Sequence, residues 1–445
     1  MKKLFTLLVA NMLIVGGVFA QDSESKDVVF AEHSPEKGMN SQVTRVSPSG
    51  KYITGQEDAE SGIMLLWDTE NNDYQTVNFK GNGQVWHVSD NGTILGQANK
   101  LPVIFRVGDE EPTAVDTTGQ AYGCTADETI LVGIGDYGDG MFVTPKVWRQ
   151  NGDKYDTEVL DFPNDNEKFE NGAFAKGISE DGSIIWGCYA AYDYSLVVWR
   201  LNESGEYVID NVAARVMAQN NEIAGIEPEH MSPNGKYITG ICYSQTGEYV
   251  FRYDAENDKF ELIAAPANEN AAARGWDVAN DGTIVSMNAP QMMLREPYIV
   301  RSGTDFMIPF GEWLSYSDIE VAEQIANSNS VTLSGISGDG KTIGGYYLGE
   351  GGYVSFFYHI PDLQLGVDEV TDNTVRDDEF CYVEDGQLYI PGGCDAFYVY
   401  SIGGVQVFAA ADGTATSYSL QSLPNGVYVV MAEKEGQNIV TKIIL

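Results

Sequence analysis

The sequence predicts an all-β chain, a seven-bladed β-propeller followed by a small Ig-like β-sandwich, and three observations carry that reading. One phrase recurs seven times between residues 46 and 357. Apart from two short Ala- and acid-containing segments, no stretch holds the 3.6-residue apolar period of a helix. After Gly366 the phrase stops, while short alternating strands with Gly-rich turns continue to the end.

The phrase is an apolar residue, a Ser or near-substitute, a tight Asp/Asn-Gly turn, a β-branched run ending in Gly, and an aromatic strand. Its first copy reads Val46-Ser47-Pro48-Ser49-Gly50-Lys51-Tyr52-Ile53-Thr54-Gly55, and its fourth Ile178-Ser179-Glu180-Asp181-Gly182-Ser183-Ile184-Ile185-Trp186-Gly187. Asp/Asn-Gly supplies the positive φ of a hairpin turn, and the β-branched run suits a pleated strand. The turn glycines are Gly50, Gly92, Gly182, Gly235, Gly282 and Gly340, with Glu128 standing in the third copy, so the period runs from 36 to 58 residues. Units of that length holding several short strands are four-stranded blades. A third strand is expected around Trp67, Phe105, Trp148, Trp199, Phe251, Val300 and Phe357.

The remaining elements follow in chain order. Lys2 and Lys3 ahead of the apolar run Leu4 to Val18, with Val18-Phe19-Ala20 as a small-x-small site, read as a signal peptide over residues 1–20. The apolar run is too short for a stable membrane span. The propeller occupies 21–365. Asp27-Val28-Val29-Phe30 belongs to no repeat and is expected to close the ring, with residues 361 to 366 as the rival donor, because closure removes exposed sheet edges. Asn211 to Ala218 and Asp318 to Asn327 are expected as short helices between blades. Residues 366–445 begin with an acidic linker and continue as strands at Leu388-Ile390, Phe397-Tyr400, Val405-Phe408, Val427-Val430 and Ile439-Leu445.

Two resemblances rest on these residues. The copies resemble WD40-type blades and, more closely, extracellular repeats of the form Ala-x-Gly-Ile-Ser-x-Asp-Gly-x-x-x-x-Gly followed by an aromatic-Trp strand, best matched by Ala175 to Gly187 with Val198-Trp199. The tail, with Val399-Tyr400-Ser401-Ile402-Gly403-Gly404-Val405-Gln406-Val407, Leu423-Pro424-Asn425-Gly426-Val427-Tyr428-Val429-Val430 and Lys442-Ile443-Ile444-Leu445, resembles the C-terminal sorting domain of type IX secretion cargo. That resemblance implies passage across an outer membrane and a place on the cell surface or outside it, with the secretion machinery as a partner. Where that family has Pro-Asn-Pro, Cys381-Tyr382-Val383 stands here.

A net charge of −39, which removal of the leader's two lysines makes more negative still, leaves no basic stretch for nucleic acid or an anionic membrane. Five cysteines, with no Cys-x-x-Cys and no zinc spacing, read as buried thiols, Cys381 and Cys394 being able to pair across a hairpin. No Gly-x-Ser-x-Gly, His-Glu-x-x-His, phosphate loop or dinucleotide fingerprint occurs, so no cofactor, metal or catalytic residue is assigned.

Function is expected where the copies differ, since the constant positions build the scaffold. Six residues before the turn glycine stand Thr44, Trp86, Tyr122, Lys176, Glu229, Trp276 and Ser334; five before stand Arg45, His87, Gly123, Gly177, His230, Asp277 and Gly335. Arg45, Trp86, His87, Tyr122, Lys176, Glu229, His230, Trp276 and Asp277 are therefore expected to meet at one mouth of the channel. Aromatic faces with a few polar groups suit a glycan or a protein ligand, bound without catalysis. The competing reading packs Trp86 and Trp276 between blades. The enzymatic alternative is a polysaccharide hydrolase or lyase using His87, His230, Glu229 or Asp277.

Overall fold

The computed structural model describes residues 29–361, except 36–39, 59–61, 82, 136–142, 163–171, 190–194, 267–271, 292–293 and 318, together with the strands of 382–444 and some residues beside them. The leader and the segment 362–381, which holds Cys381 and most of the rival closing segment and acidic linker, lie outside the described residues. The chain forms two compact units, Met1–Leu363 and Gln364–Leu445.

The first unit is a seven-bladed propeller of four-stranded antiparallel sheets. The first strands of the blades are Gln42–Val46, Gly83–Val88, Gln120–Cys124, Ala173–Ile178, Ile223–Met231, Ala273–Val278 and Val331–Ile336. Each touches the next and the last touches the first, so together they wall a central channel. Trp67, Trp148, Trp199, Phe251 and Phe357 are fully buried on the third strands, where the aromatic end of the phrase places them. The seventh blade supplies only three strands of its own. Val29–His33 adds the fourth, pairing Phe30 with Tyr358 and Ala31 with Phe357, so the N-terminal segment closes the ring. Its last residue, His33, forms a buried side-chain hydrogen bond with Glu57 of the first blade, which ties the closing strand across the seam.

The constant Ser has a purely structural task. In the fourth copy Ser179 Oγ donates to Asp181 Oδ1 at 2.6 Å and accepts from the Ile184 amide at 3.0 Å, while the Gly182 amide reaches the Ser179 carbonyl at 2.9 Å. Ser232 with Asn234, and Ser337 with Asp339, repeat this closed turn. Neighbouring turns are then joined in a ring. The Gly338 amide donates to the Pro48 carbonyl, Asn280 to Gly338, Glu180 to Pro233 and Ala126 to Glu180, while side chains of Asp90 and Asn280 accept the amides of Ser49 and Asn234.

The remaining junction, between the second and third blades, explains the irregular third copy. Its hairpin forms despite the missing glycine, with Glu128 at φ 59° donating its amide to the Thr125 carbonyl. The carboxylate of Glu128 accepts from Ser89 Oγ at 2.6 Å, Asn91 Nδ2 at 3.1 Å and Thr93 Oγ1 at 3.0 Å, all in the preceding turn. Glu128→Ala is expected to destabilise by about 2–3 kcal/mol, since buried hydroxyls lose a charged acceptor. Glu128→Gly should cost about 1 kcal/mol less, because glycine relieves the left-handed backbone. Chemical denaturation of the two variants checks that order.

Gly50 combines φ 81° with a Cβ direction that runs into the Thr342 side chain across the closing seam, whereas Gly152, at φ 62°, faces open space. Gly50→Ala is expected to cost about 2–4 kcal/mol from overlap and strain together, and Gly152→Ala about 1 kcal/mol from strain alone. Equal shifts in thermal midpoint would contradict this account.

Helix α1 (Val212–Gln219) forms as expected, capped by Asn211 Oδ1 accepting the Ala214 amide at 3.0 Å. The second forms in part: among the described residues of Asp318 to Asn327, α3 (Glu323–Ala326) is helical. The longer helix, α2 (Phe310–Ser315), lies upstream and buries Phe310, Trp313 and Leu314, an i, i+3, i+4 stripe that fills the space between the last two blades.

The second unit consists, in its described residues, of two antiparallel sheets. Tyr382–Glu384, Gln387–Tyr389 and Ser417–Ser419 make one; Gln406–Ala410, Ala396–Ser401, Val427–Lys434 and Gln437–Ile444 make the other. Leu388 and Leu420 share a core with Phe397, Val399, Val430 and Ala432.

Candidate ligand-binding mouth

Every first strand carries a β-bulge at the same place. The pairing register jumps from Val43 to Arg45, Val85 to His87, Ala121 to Gly123, Ala175 to Gly177, Pro228 to His230, Gly275 to Asp277 and Leu333 to Gly335. The residue left over is the sixth before the turn glycine in all seven copies. A bulged residue stands outside the ladder and its side chain is re-aimed, so sheet pairing places little demand on its type. This is the physical cause of the variable column in the repeat.

At the mouth framed by the ring of turns, a cavity of about 70 Å³ is lined by Arg45, His87, Tyr122, Lys176, His230 and Asp277, one from each of the first six blades. Ile336 of the seventh completes the circle. The other three expected residues stand outside this lining. Trp86 lies with its ring 4.8 Å from that of Tyr122. Trp276 packs against the core of the sixth and seventh blades, the arrangement the competing reading described, with its Nε1 buried and without an acceptor. Glu229 is removed from water, which raises its carboxyl above the ordinary range, the nearby Lys176 opposing that shift.

Asp90, Cys124, Glu180 and Trp186 are among the lining residues that have no place among the nine. Asp90 and Glu180 belong to the turns at the rim. Burial raises the Glu180 carboxyl, with the charges of Asp90 and Asp181 adding to it. Trp186 sits on a second strand opposite Gly177, and a Cβ on Gly177 would collide with the indole Nε1. The signal was available: in the corresponding pairs the partner is Thr54, Leu95, Val132, Thr239, Val285 or Gly344, and tryptophan appears only where its opposite number is a glycine that makes room.

Asp277 is the most tightly held group. It is 1% exposed, pairs with His230 Nδ1, and accepts the Val278 amide at 2.8 Å and the Ile336 amide at 3.0 Å, so one carboxyl brackets the fifth, sixth and seventh blades. Both of its oxygens are thereby engaged within the scaffold. His87 Nε2 lies 3.4 Å from Cys124 Sγ. Burial, aided by the charges of His230 and Arg45, pushes the imidazole down to about 3, and burial also pushes the Cys124 thiol up. Both are neutral near pH 7, the opposite of a thiolate–imidazolium nucleophile. Among the described residues, no three His, Cys, Asp or Glu side chains are grouped to hold a metal ion.

Arg45 reaches across the channel. Its Nη1 donates to the Thr44 carbonyl at 2.7 Å and its Nη2 to the Glu229 carbonyl of the fifth blade at 3.5 Å, while Nε is buried with no acceptor. No carboxylate among the described residues forms an ion pair with it, in a chain with 65 acids.

No family model and no curated protein matches this chain. Among solved structures it is similar to the oligogalacturonate lyase of Vibrio parahaemolyticus, with 13% identity over 76% of this chain and 99% of that one, at a TM-score of 0.47. It is similar to the Kuenenia stuttgartiensis hydrazine synthase, with 10% identity over 78% and 100% of the two chains and a TM-score of 0.45. It is also similar to the Dos1 propeller, with 11% identity over 75% and 95% and a TM-score of 0.45. Identities of this size concern backbone shape alone, and the seven-bladed assignment rests on the order of strands within the sheets.

Proposed function

We propose that this is an exported, surface-displayed or extracellular binding protein whose channel mouth takes a glycan or protein ligand without turning it over. The observation that carries the proposal is the convergence of six side chains of five chemical kinds, one from each of the first six blades, from the bulged position or the one after it. A glycan and peptide array with the wild type and a Tyr122→Ala, Lys176→Ala double variant tests it. Binding without product release, lost in the folded variant, is the expected result; equal signals from both proteins would remove the mouth from consideration.

Export rests on the leader and on the tail's resemblance to type IX sorting domains, with an Ig-like sandwich as the fold proposed for that tail. Deleting residues 366–445 should leave a folded propeller that no longer reaches the surface, scored by protease accessibility on whole cells. Unchanged display would refute the sorting role.

The hydrolase or lyase alternative has one observation in its favour. His230 lines the cavity and is oriented by Asp277, the arrangement of an imidazole held for proton transfer. New reducing ends or unsaturated sugars released by the wild type and abolished in His230→Ala would establish that reading in place of simple binding.

A further inference from the structure

We propose that the group drawn into the mouth is a single carboxylate held by Arg45, and that the ligand is an acidic sugar; this deepens the binding reading and rests on it. The guanidinium is half-buried, bonded only to carbonyl oxygens, and unpaired with any carboxylate among the described residues. A planar guanidinium with donors to spare is matched by a planar carboxylate, which a protein this acidic would otherwise have supplied from its own side chains. Lys176, from the fourth blade, lines the same cavity and adds a second positive charge.

The opposing charges limit the ligand further. Asp90, Glu180 and Asp277 share the lining, so a dianion such as phosphate meets three carboxyls on entry, whereas a monoanion on an otherwise neutral body meets less repulsion. A sugar suits the mouth better than a peptide strand. The backbone amides of the rim turns at Ser49, Ala126, Glu180, Asn234, Asn280 and Gly338 are already bonded around the ring, leaving no edge there for a strand to join. Tyr122, half-buried in the lining, meanwhile offers aromatic surface to a pyranose.

Titration calorimetry of the full chain tests this with an oligoglucuronate, the same oligosaccharide with its carboxyls reduced to alcohols, and a short peptide as free acid and as amide. Arg45→Gln and Arg45→Lys are compared with wild type, with thermal melts to confirm folding. The oligoglucuronate should bind at least tenfold more tightly than its reduced form, Arg45→Gln should erase that difference, and Arg45→Lys should restore part of it. If the reduced form binds equally well, and the Tyr122→Ala, Lys176→Ala variant still abolishes binding, the carboxylate inference falls and the mouth reading stands. Binding of the free-acid peptide alone, dependent on Arg45, would overturn the sugar assignment. If none of the probes binds and the array is also blank, both readings fall.

Discussion

Asp277→Ala is expected to lower the stability of the propeller by about 3–5 kcal/mol, more than any other substitution proposed for this chain. The substitution leaves the buried amides of Val278 and Ile336 without their acceptor and strips His230 of its partner. The bracket across three blades is lost with it. Asp277→Asn keeps one oxygen and should fall between the two, at roughly 1–2 kcal/mol. Guanidinium denaturation followed by tryptophan fluorescence measures both. A loss below about 1 kcal/mol for the alanine variant would show that the blades are held by apolar packing alone.

The second large effect is one of pH. His87 is held neutral in the folded chain, its ionisation pushed down to about 3 from an ordinary 6.5. Between those values the unfolded chain binds a proton that the folded chain refuses, so stability increases with pH across the window and is lost as pH falls from 6.5. Each tenfold loss of proton affinity on folding corresponds to about 1.4 kcal/mol. His87 is half-buried and lines the cavity, so the realised loss is expected to be about 1–2 kcal/mol between pH 6.5 and 5. His87→Gln removes the titrating group and should flatten stability against pH over that interval, before most carboxyls protonate. Identical slopes for variant and wild type would place the acid sensitivity elsewhere.

Much of this architecture is legible along the chain because it depends on local chemistry. The Asp/Asn-Gly turns, the Ser that closes them and the aromatic third strands each solve a problem within a dozen residues of backbone, so repetition exposes them. The closing strand is legible by elimination, since Val29 and Phe30 have no repeat of their own. Helix α2 is not, although its stripe of Phe310, Trp313 and Leu314 is regular, because the segment reads equally well as a buried strand until its neighbours are known. Glu128 reads in the sequence as damage to a turn and is the latch between two blades, a role visible only once Ser89, Asn91 and Thr93 are beside it.

The candidate site divides along the same line. Taken alone, the sequence determined the number of blades, the two columns at which the copies diverge and the acidity of the whole, because hairpin chemistry and charge are written residue by residue. The tertiary structure decided which members of those columns face the cavity. Arg45 and His87 enter it, Trp276 turns into the core between blades, and Trp186 arrives from a second strand because Gly177 leaves it space. The reason is physical: a bulge frees a side chain from its own sheet, and its final direction is then set by the volume and hydrogen bonds of the adjoining blades, which lie some fifty residues away along the chain and in contact only after the ring has closed.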